Sequence, residues 1–326
     1  MADTEEVRNP SASQSTDDSV KDASSQQTIV ETSKSNNWQR VSASWAGYDA
    51  LRYLFVFGAS YCQVGYYSAR SPQPTPEQPL GVEFPGDTYN EPGEPNWVGF
   101  LARDFKPRDE GVEKPLLVYD YAVGGQMVHG VKHQVQGSFL PHVGEKPEWS
   151  PWTESDSLFS IWIGINDTAF GCQAKETIEK LYEVLQTLFD AGARNFLLID
   201  VPPMHRSPAL QKTFTDGPKS PKPYTTWNNE LRSQGNTFAT TNPEASLFIF
   251  SSYDLFESIL DDPERFGFVP EDTKKRGGAI WFDHIHPTTK MHKLIAEDIV
   301  SYLRSISKTS SRLESDAIEE SQVFTT

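Results

Sequence analysis

Five short apolar runs recur along the middle of the chain, and four are stopped by a glycine or a proline pair. They are 51–57 (LRYLFVF), ending at Gly58; 116–121 (LLVYDY), ending near Gly124-Gly125; 158–163 (LFSIWI), ending at Gly164; 196–201 (FLLIDV), ending at Pro202-Pro203; and 247–250 (LFIF). Continuous runs of this length suit strands buried on both faces, as in a parallel sheet. Helical spacing lies between them. Segment 173–191 places Ile178, Leu181, Tyr182, Leu185, Leu188 and Phe189 at steps of three and four, with Gly192 as its C-terminal cap. Segment 288–304 repeats the pattern with Met291, Leu294, Ile295, Ile299 and Leu303. Alternating strands and helices predict an α/β fold, a three-layer α/β/α sandwich around a central, mostly parallel five-stranded sheet. The stretch 70–95, rich in Pro, Gly, Glu and Gln, predicts a long ordered loop of the kind that shapes a pocket.

The two ends lack this patterning. Residues 1–37 hold seven acidic and three basic residues among Ser, Thr, Gln and Asn, and the first aromatic is Trp38. Such a stretch buries too little apolar area to offset its ordering entropy, which predicts a disordered tail. Residues 308–326 read the same way, leaving 38–307 as the folded domain. At 326 residues the chain can bury a sizeable core, as one large domain or two small ones. The opening MADTEEVRNPSASQSTDD has neither a basic n-region nor an apolar h-region. Cysteines are few, and the one proline-free sequon is Asn166-Asp167-Thr168. Together these predict a cytoplasmic protein, with secretion as the alternative if the chain starts elsewhere.

Charge narrows the partners. Lys plus Arg is 29 against 45 Asp plus Glu, a net charge of −16. An acidic surface repels phosphate backbones and anionic headgroups, so nucleic acid and membrane surfaces are poor partners. No apolar run approaches the roughly 20 residues of a membrane helix. Cys62 and Cys172 are too few for a disulfide scaffold, while a single bridge between them stays open.

Sites in open parallel sheets gather beyond the carboxyl ends of the strands. Gly58-Ala59-Ser60-Tyr61 follows the first run, Ala122-Val123-Gly124-Gly125 the second, and Gly164-Ile165-Asn166-Asp167 the third. Trp281-Phe282-Asp283-His284-Ile285-His286-Pro287 precedes the last helix. These are the parts of an acyl-transfer site: Ser60 as nucleophile, His286 as base, and Asp283 to orient it. The Ser60 and Gly125 backbone N–H groups and the Asn166 side-chain amide are candidate oxyanion donors.

The four blocks FVFGASY, YDYAVGG, IWIGIND and WFDHIHPT resemble those of the GDSL or SGNH hydrolases, named for Ser, Gly, Asn and His. Pro95-Asn96-Trp97-Val98, 192–197 (GARNFL) and 201–208 (VPPMHRSP) look like the fungal acetylesterases of carbohydrate esterase family 16. The resemblance spans about 50–305. It implies the SGNH hydrolase fold and the same assignments: Ser60, Asp283 and His286 as triad, with Ser60, Gly125 and Asn166 as oxyanion donors. It implies a serine esterase of short-chain, acetyl-type esters, with acetylated oligosaccharides among its substrates and no cofactor. Lipid or aryl esters fit the motifs equally well. In the family an Asp follows the glycine of the first block, where Ala59 stands here, and an Asn opens the second, where Asp120 stands. The first change implies a lost or rearranged brace on the nucleophile loop and a modest loss of rate. The second implies a disturbed loop around Gly125. Together they keep open a weakly active or inactive domain that binds a ligand or partner.

Other residues carry competing readings. His284 and His286 in His-x-His spacing could chelate a metal, but no further His or Cys cluster supports one. His284 could replace His286 as base, although it adjoins Asp283 and neighbouring side chains diverge. His205 reads as a loop histidine or a substrate contact. Cys62 reads as a small buried hydrophobe rather than a nucleophile. Asp167 reads as a loop brace. Trp149 and Trp152 read as packing residues or as a sugar-stacking platform.

Overall fold

The computed structural model describes residues 36–210 and 220–307. The two predicted tails lie outside the described residues, apart from residues 36 and 37. The main sheet begins with β1 (Trp38–Arg40), followed by β2 (Tyr53–Gly58), β3 (Leu117–Asp120), β4 (Ser157–Trp162), β5 (Asn195–Ile199) and β6 (Ser246–Phe250). Strands β2 to β6 are the five predicted runs, and all pair in parallel. The sheet gains a sixth strand because β1 adds antiparallel to β6. Three residues of mixed polarity carry no apolar pattern from which β1 could be foreseen.

Spatial order along the sheet is β1-β6-β5-β4-β2-β3. The chain steps from β2 to β3 on one side, then crosses to β4 on the other. Strand order therefore reverses at β2, and the crevice beyond its carboxyl end is the switch point where open α/β sheets bind ligands. Ser60 lies two residues past β2.

The helices are α1 (Trp97–Arg103), α2 (Val128–His133), α3 (Ile165–Ala169), α4 (Ala174–Asp190), α5 (Lys222–Thr241), α6 (Ser252–Asp261) and α7 (Thr289–Ser305). The predicted helices 173–191 and 288–304 correspond to α4 and α7. Helix α4 packs on α2 and α5, and α1 packs on α7. Side-chain alternation along the strands separates these two groups. Phe196 of β5 meets Phe238 of α5. Trp162 of β4 meets Trp97 of α1, and Phe250 of β6 meets Tyr302 of α7. Helices thus cover both faces, giving the three layers. No helix or sheet strand interrupts the predicted 70–95 loop.

An aromatic cluster fills one side of β2. Phe55, fully buried, contacts the rings of Tyr119, Phe139, Trp152 and Phe159 at centroid distances of 5.4, 5.2, 5.6 and 4.7 Å. These distances fall in the favourable range for ring pairs. Truncating Phe55 leaves a ring-sized void under the strand that carries the site. Phe55→Ala is expected to lower unfolding free energy by about 3–5 kcal/mol, read as a shift of the urea midpoint at unchanged slope.

Candidate active site

The sharp turn after β2 depends on Gly58. Its φ is +149°, and a Cβ there would lie 2.4 Å from the Trp162 carbonyl oxygen, so a side chain would push β2 off β4. The turn is buried, and side chains from distant segments satisfy its backbone. The Gln134 amide clasps Gly58 on both sides, accepting from its N–H at 2.9 Å and donating to its carbonyl at 2.8 Å. Asn96 caps α1 by accepting from Val98 and Gly99. The same amide donates to the Cys62 and Gln63 carbonyls at 2.8 and 2.9 Å. Gln63 accepts from the Gly124 N–H at 2.7 Å. Ala59 makes none of these side-chain bonds, so the turn is braced by neighbours in place of the family's aspartate.

The loop before α7 is folded around Asp283. Its Oδ1 accepts from the Ile285 and His286 N–H groups at 2.8 and 2.7 Å, while Oδ2 lies 2.8 Å from His286 Nδ1. His286 Nε2 lies 2.8 Å from Ser60 Oγ. A ring with Nδ1–H toward Asp283 presents its Nε2 lone pair to the serine hydroxyl. Partial burial raises the Asp283 pKa, but hydrogen bonds from the His286 ring and the two backbone amides outweigh it and hold the carboxyl well below the ordinary range. His284 turns outward, with its Nδ1 3.8 Å from Asp283 Oδ1. Tyr61 ties the two loops together: its hydroxyl donates to the Ile285 carbonyl at 2.5 Å. Tyr89 lies over the His286 ring at 5.0 Å. His292, on α7, packs against Tyr61 at 6.1 Å. Burial lowers its pKa to about 3, with His286 adding to the effect, so the imidazole stays neutral.

Gly125 has φ +78° and is exposed on its turn. Among the described residues neither its N–H nor that of Ser60 has a hydrogen-bond partner. Asn166 donates one amide N–H to the Gln126 carbonyl at 2.8 Å, leaving its second. Its neighbour Asp167 accepts from the Val128 N–H at 3.1 Å. The pair cinches the Gly125 loop to the start of α3. Asp120, beneath that loop, accepts from the Ala122 N–H at 2.8 Å, while its Oδ2 is buried without a partner. Burial raises its pKa well above the carboxylate range, more than the amides of Ala122 and Val64 lower it. The loop is ordered around a buried Asp120 whose environment disfavours the charged form.

The remaining sequence candidates are scattered. Trp152 is core, its indole N–H on the Val143 carbonyl, so it contributes no platform; Trp149 is half exposed and lines none of the cavities described below. His205 lies between Tyr224 and Tyr253, with its Nδ1 buried. Cys62 is buried, and burial pushes its thiol up, which disfavours a reactive thiolate. Cys62 and Cys172 are unpaired. Among the described residues no cluster of three or more His, Cys, Asp or Glu could hold a metal. Nothing in the sequence marks Gln134 or Tyr61 as a brace; Tyr61 and Asn96 stand within recognised blocks, whereas Gln134 stands in none.

A cavity of about 940 Å³ begins at Asn166, His284 and Ile285 and runs along Phe170, Met204 and Tyr224. Phe170 is largely exposed at its rim.

Comparison with known proteins shows that residues 54–299 match the GDSL-like lipase/acylhydrolase family. An acetylesterase from Thermothelomyces thermophilus is 29% identical over 275 residues, covering 77% of this chain and 87% of that protein. An acetylesterase from Hypocrea jecorina is 20% identical over 330 residues, covering 80% and 91%. Among solved structures, an acetylxylan esterase from Geobacillus stearothermophilus is 14% identical with a TM-score of 0.49, covering 80% of this chain and 97% of that one.

Two buried groups make this region pH-sensitive in opposite senses. Asp120 is raised in the fold, so its contribution is full below about pH 4 and is lost as the unfolded chain ionises. Asp120→Asn is therefore expected to be more stable than the wild type at pH 7, with the gap closing by pH 4. His292 is lowered in the fold, so its contribution is full above about pH 6.5 and is lost as pH falls. The stability difference between wild type and His292→Gln should shrink by about 2 kcal/mol from pH 8 to pH 5. Denaturant titrations from pH 8 to pH 4 check both.

Proposed function

The chain belongs to the GDSL-like lipase/acylhydrolase family and is a carboxylic ester hydrolase, and we propose that it cleaves short-chain, acetyl-type esters through Ser60, His286 and Asp283. The observation that carries this reading is the continuous chain of 2.8 Å contacts from Ser60 Oγ through the imidazole to Asp283. His286 Nε2 takes the hydroxyl proton as Ser60 Oγ attacks the acyl carbon. Asp283, held ionised, orients the ring and stabilises its cationic form. The Ser60 and Gly125 N–H groups and the Asn166 amide receive the oxyanion. His286 returns the proton to the departing alcohol, leaving an acyl-enzyme. Water, deprotonated by the same ring, attacks that ester; the tetrahedral intermediate collapses, and the proton goes back to Ser60 as the acid leaves. No cofactor takes part in these steps.

The acyl preference draws on the acetylesterases to which the chain is similar, and acetylated oligosaccharides are the substrates this points to. One observation favours a second reading. The cavity beyond Asn166 has room and apolar walls for a longer acyl chain or an aryl group, with Phe170, Met204 and Ile285 among its residues.

The full chain is expected to hydrolyse p-nitrophenyl acetate, and Ser60→Ala to lower kcat on the order of 10³-fold or more. Turnover that falls from acetate through butyrate to octanoate supports the short-chain reading. A rise along that series moves the specificity to the larger cavity. Equal rates in wild type and Ser60→Ala would make the domain a binding module.

A further inference from the structure

A second cavity, about 770 Å³, lies on the α2 side of the Gly125 loop and takes no part in the chemistry above. Val123 and Gln126, which bracket Gly124-Gly125, line it, as does Gln134, whose amide clasps Gly58. The cavity thus shares Val123 and Gln126 with the oxyanion loop and Gln134 with the brace of the nucleophile turn.

Its chemistry departs from that of the chain as a whole. The sequence holds 45 acidic against 29 basic residues, yet among the described residues no Asp or Glu lines this cavity. Arg70, His129 and His133 do. The two histidines are four residues apart on α2, hence on one face. Among the described residues the Arg70 guanidinium has no carboxylate partner. Tyr66, Tyr67 and Tyr121 supply the remaining character. Tyr67 is 57% exposed, leaving a ring face open. Tyr121 is 4% exposed, and its hydroxyl is buried without a partner. Aromatic faces suit the apolar faces of sugar rings, and a planar guanidinium suits an oxyanion. The volume is ordinary for a small-molecule site.

We propose that this cavity is a subsite for the alcohol side of the ester and selects an anionic sugar, with Arg70 pairing its carboxylate or phosphate. The inference rests on the esterase reading for the identity of the bond cleaved, but its binding test does not. The full chain carrying Ser60→Ala would be titrated calorimetrically with methyl glucuronide, glucose 6-phosphate and methyl glucoside. At least one anionic sugar is expected to bind about fivefold more tightly than the neutral glucoside, the upper end of what an exposed ion pair supplies. Preference for the glucuronide identifies a carboxylate ligand, and preference for the phosphate identifies a phosphorylated one. Arg70→Gln in the same background should bring all three sugars to equal affinity.

Equal binding of charged and neutral sugars, or a preference that survives Arg70→Gln, would overturn the subsite. In the chain with Ser60 intact, kcat/KM for an acetylated methyl glucuronide or acetylated glucose 6-phosphate should exceed that for the acetylated glucoside through KM. Failure of serine-dependent turnover on every ester would overturn the esterase reading alone, because the titration still reports the subsite.

Discussion

A strand that ends in a buried turn leaves backbone N–H and C=O groups that water cannot reach, and each must find a partner inside the protein. The turn after β2 meets that requirement with side chains at Gly58, Cys62 and Gln63 and leaves the Ser60 N–H without a partner among the described residues. Gln134 serves both polar groups of Gly58, while Asn96 serves the Cys62 and Gln63 carbonyls and caps α1 with its other atom. Helix α1, the segment following α2 and strand β2 are thereby fixed to one another. Removing either amide would strand a buried partner, which costs more than the net value of the hydrogen bond lost. The position of Ser60 follows from this satisfaction of the backbone. It tolerates alanine at position 59 because the support comes from elsewhere.

Burial also sorts the carboxyl groups around the switch point. Asp120 and Asp167 are pushed up by desolvation, which outweighs the backbone amides of Ala122 and Val128 that donate to one oxygen of each. Asp283 is less enclosed and has three hydrogen bonds, so it is held down. His292, behind Tyr61, is kept neutral. The imidazole of His286 therefore faces one stable negative charge. Geometry supplies the contact, and the uneven distribution of donors supplies the charge.

The parts legible in the sequence are those in which neighbouring residues act together. The apolar runs became β2 to β6 because burial on both faces removes alternation. Asp283 and His286 were legible because they stand three positions apart on one loop, and Ser60, Gly125 and Asn166 because each follows a strand. What escaped was long-range or weakly patterned. Gln134 lies 76 residues from Gly58, and a lone glutamine gives no signal of its partner. Helix α5 mixes Trp227, Leu231 and Phe238 with threonine, asparagine and glycine, blurring its period. Trp152 was ambiguous because a tryptophan among turn residues reads equally as surface or core. The cavity on the α2 side escaped because Arg70, His129 and His133 come from two separate segments.

The short strand β1 has a consequence for handling the protein. Strand β6 is buried along its whole length, and Trp38-Gln39-Arg40 occupies its outer edge, with Gln39 and Arg40 exposed. Cutting the chain beyond Arg40 would bare an apolar edge, Ser246–Phe250, to neighbouring molecules, the usual template for edge-to-edge aggregation. Three residues with little core of their own thus act as a solubility guard, and any trimming of the N-terminal region has its limit before Trp38.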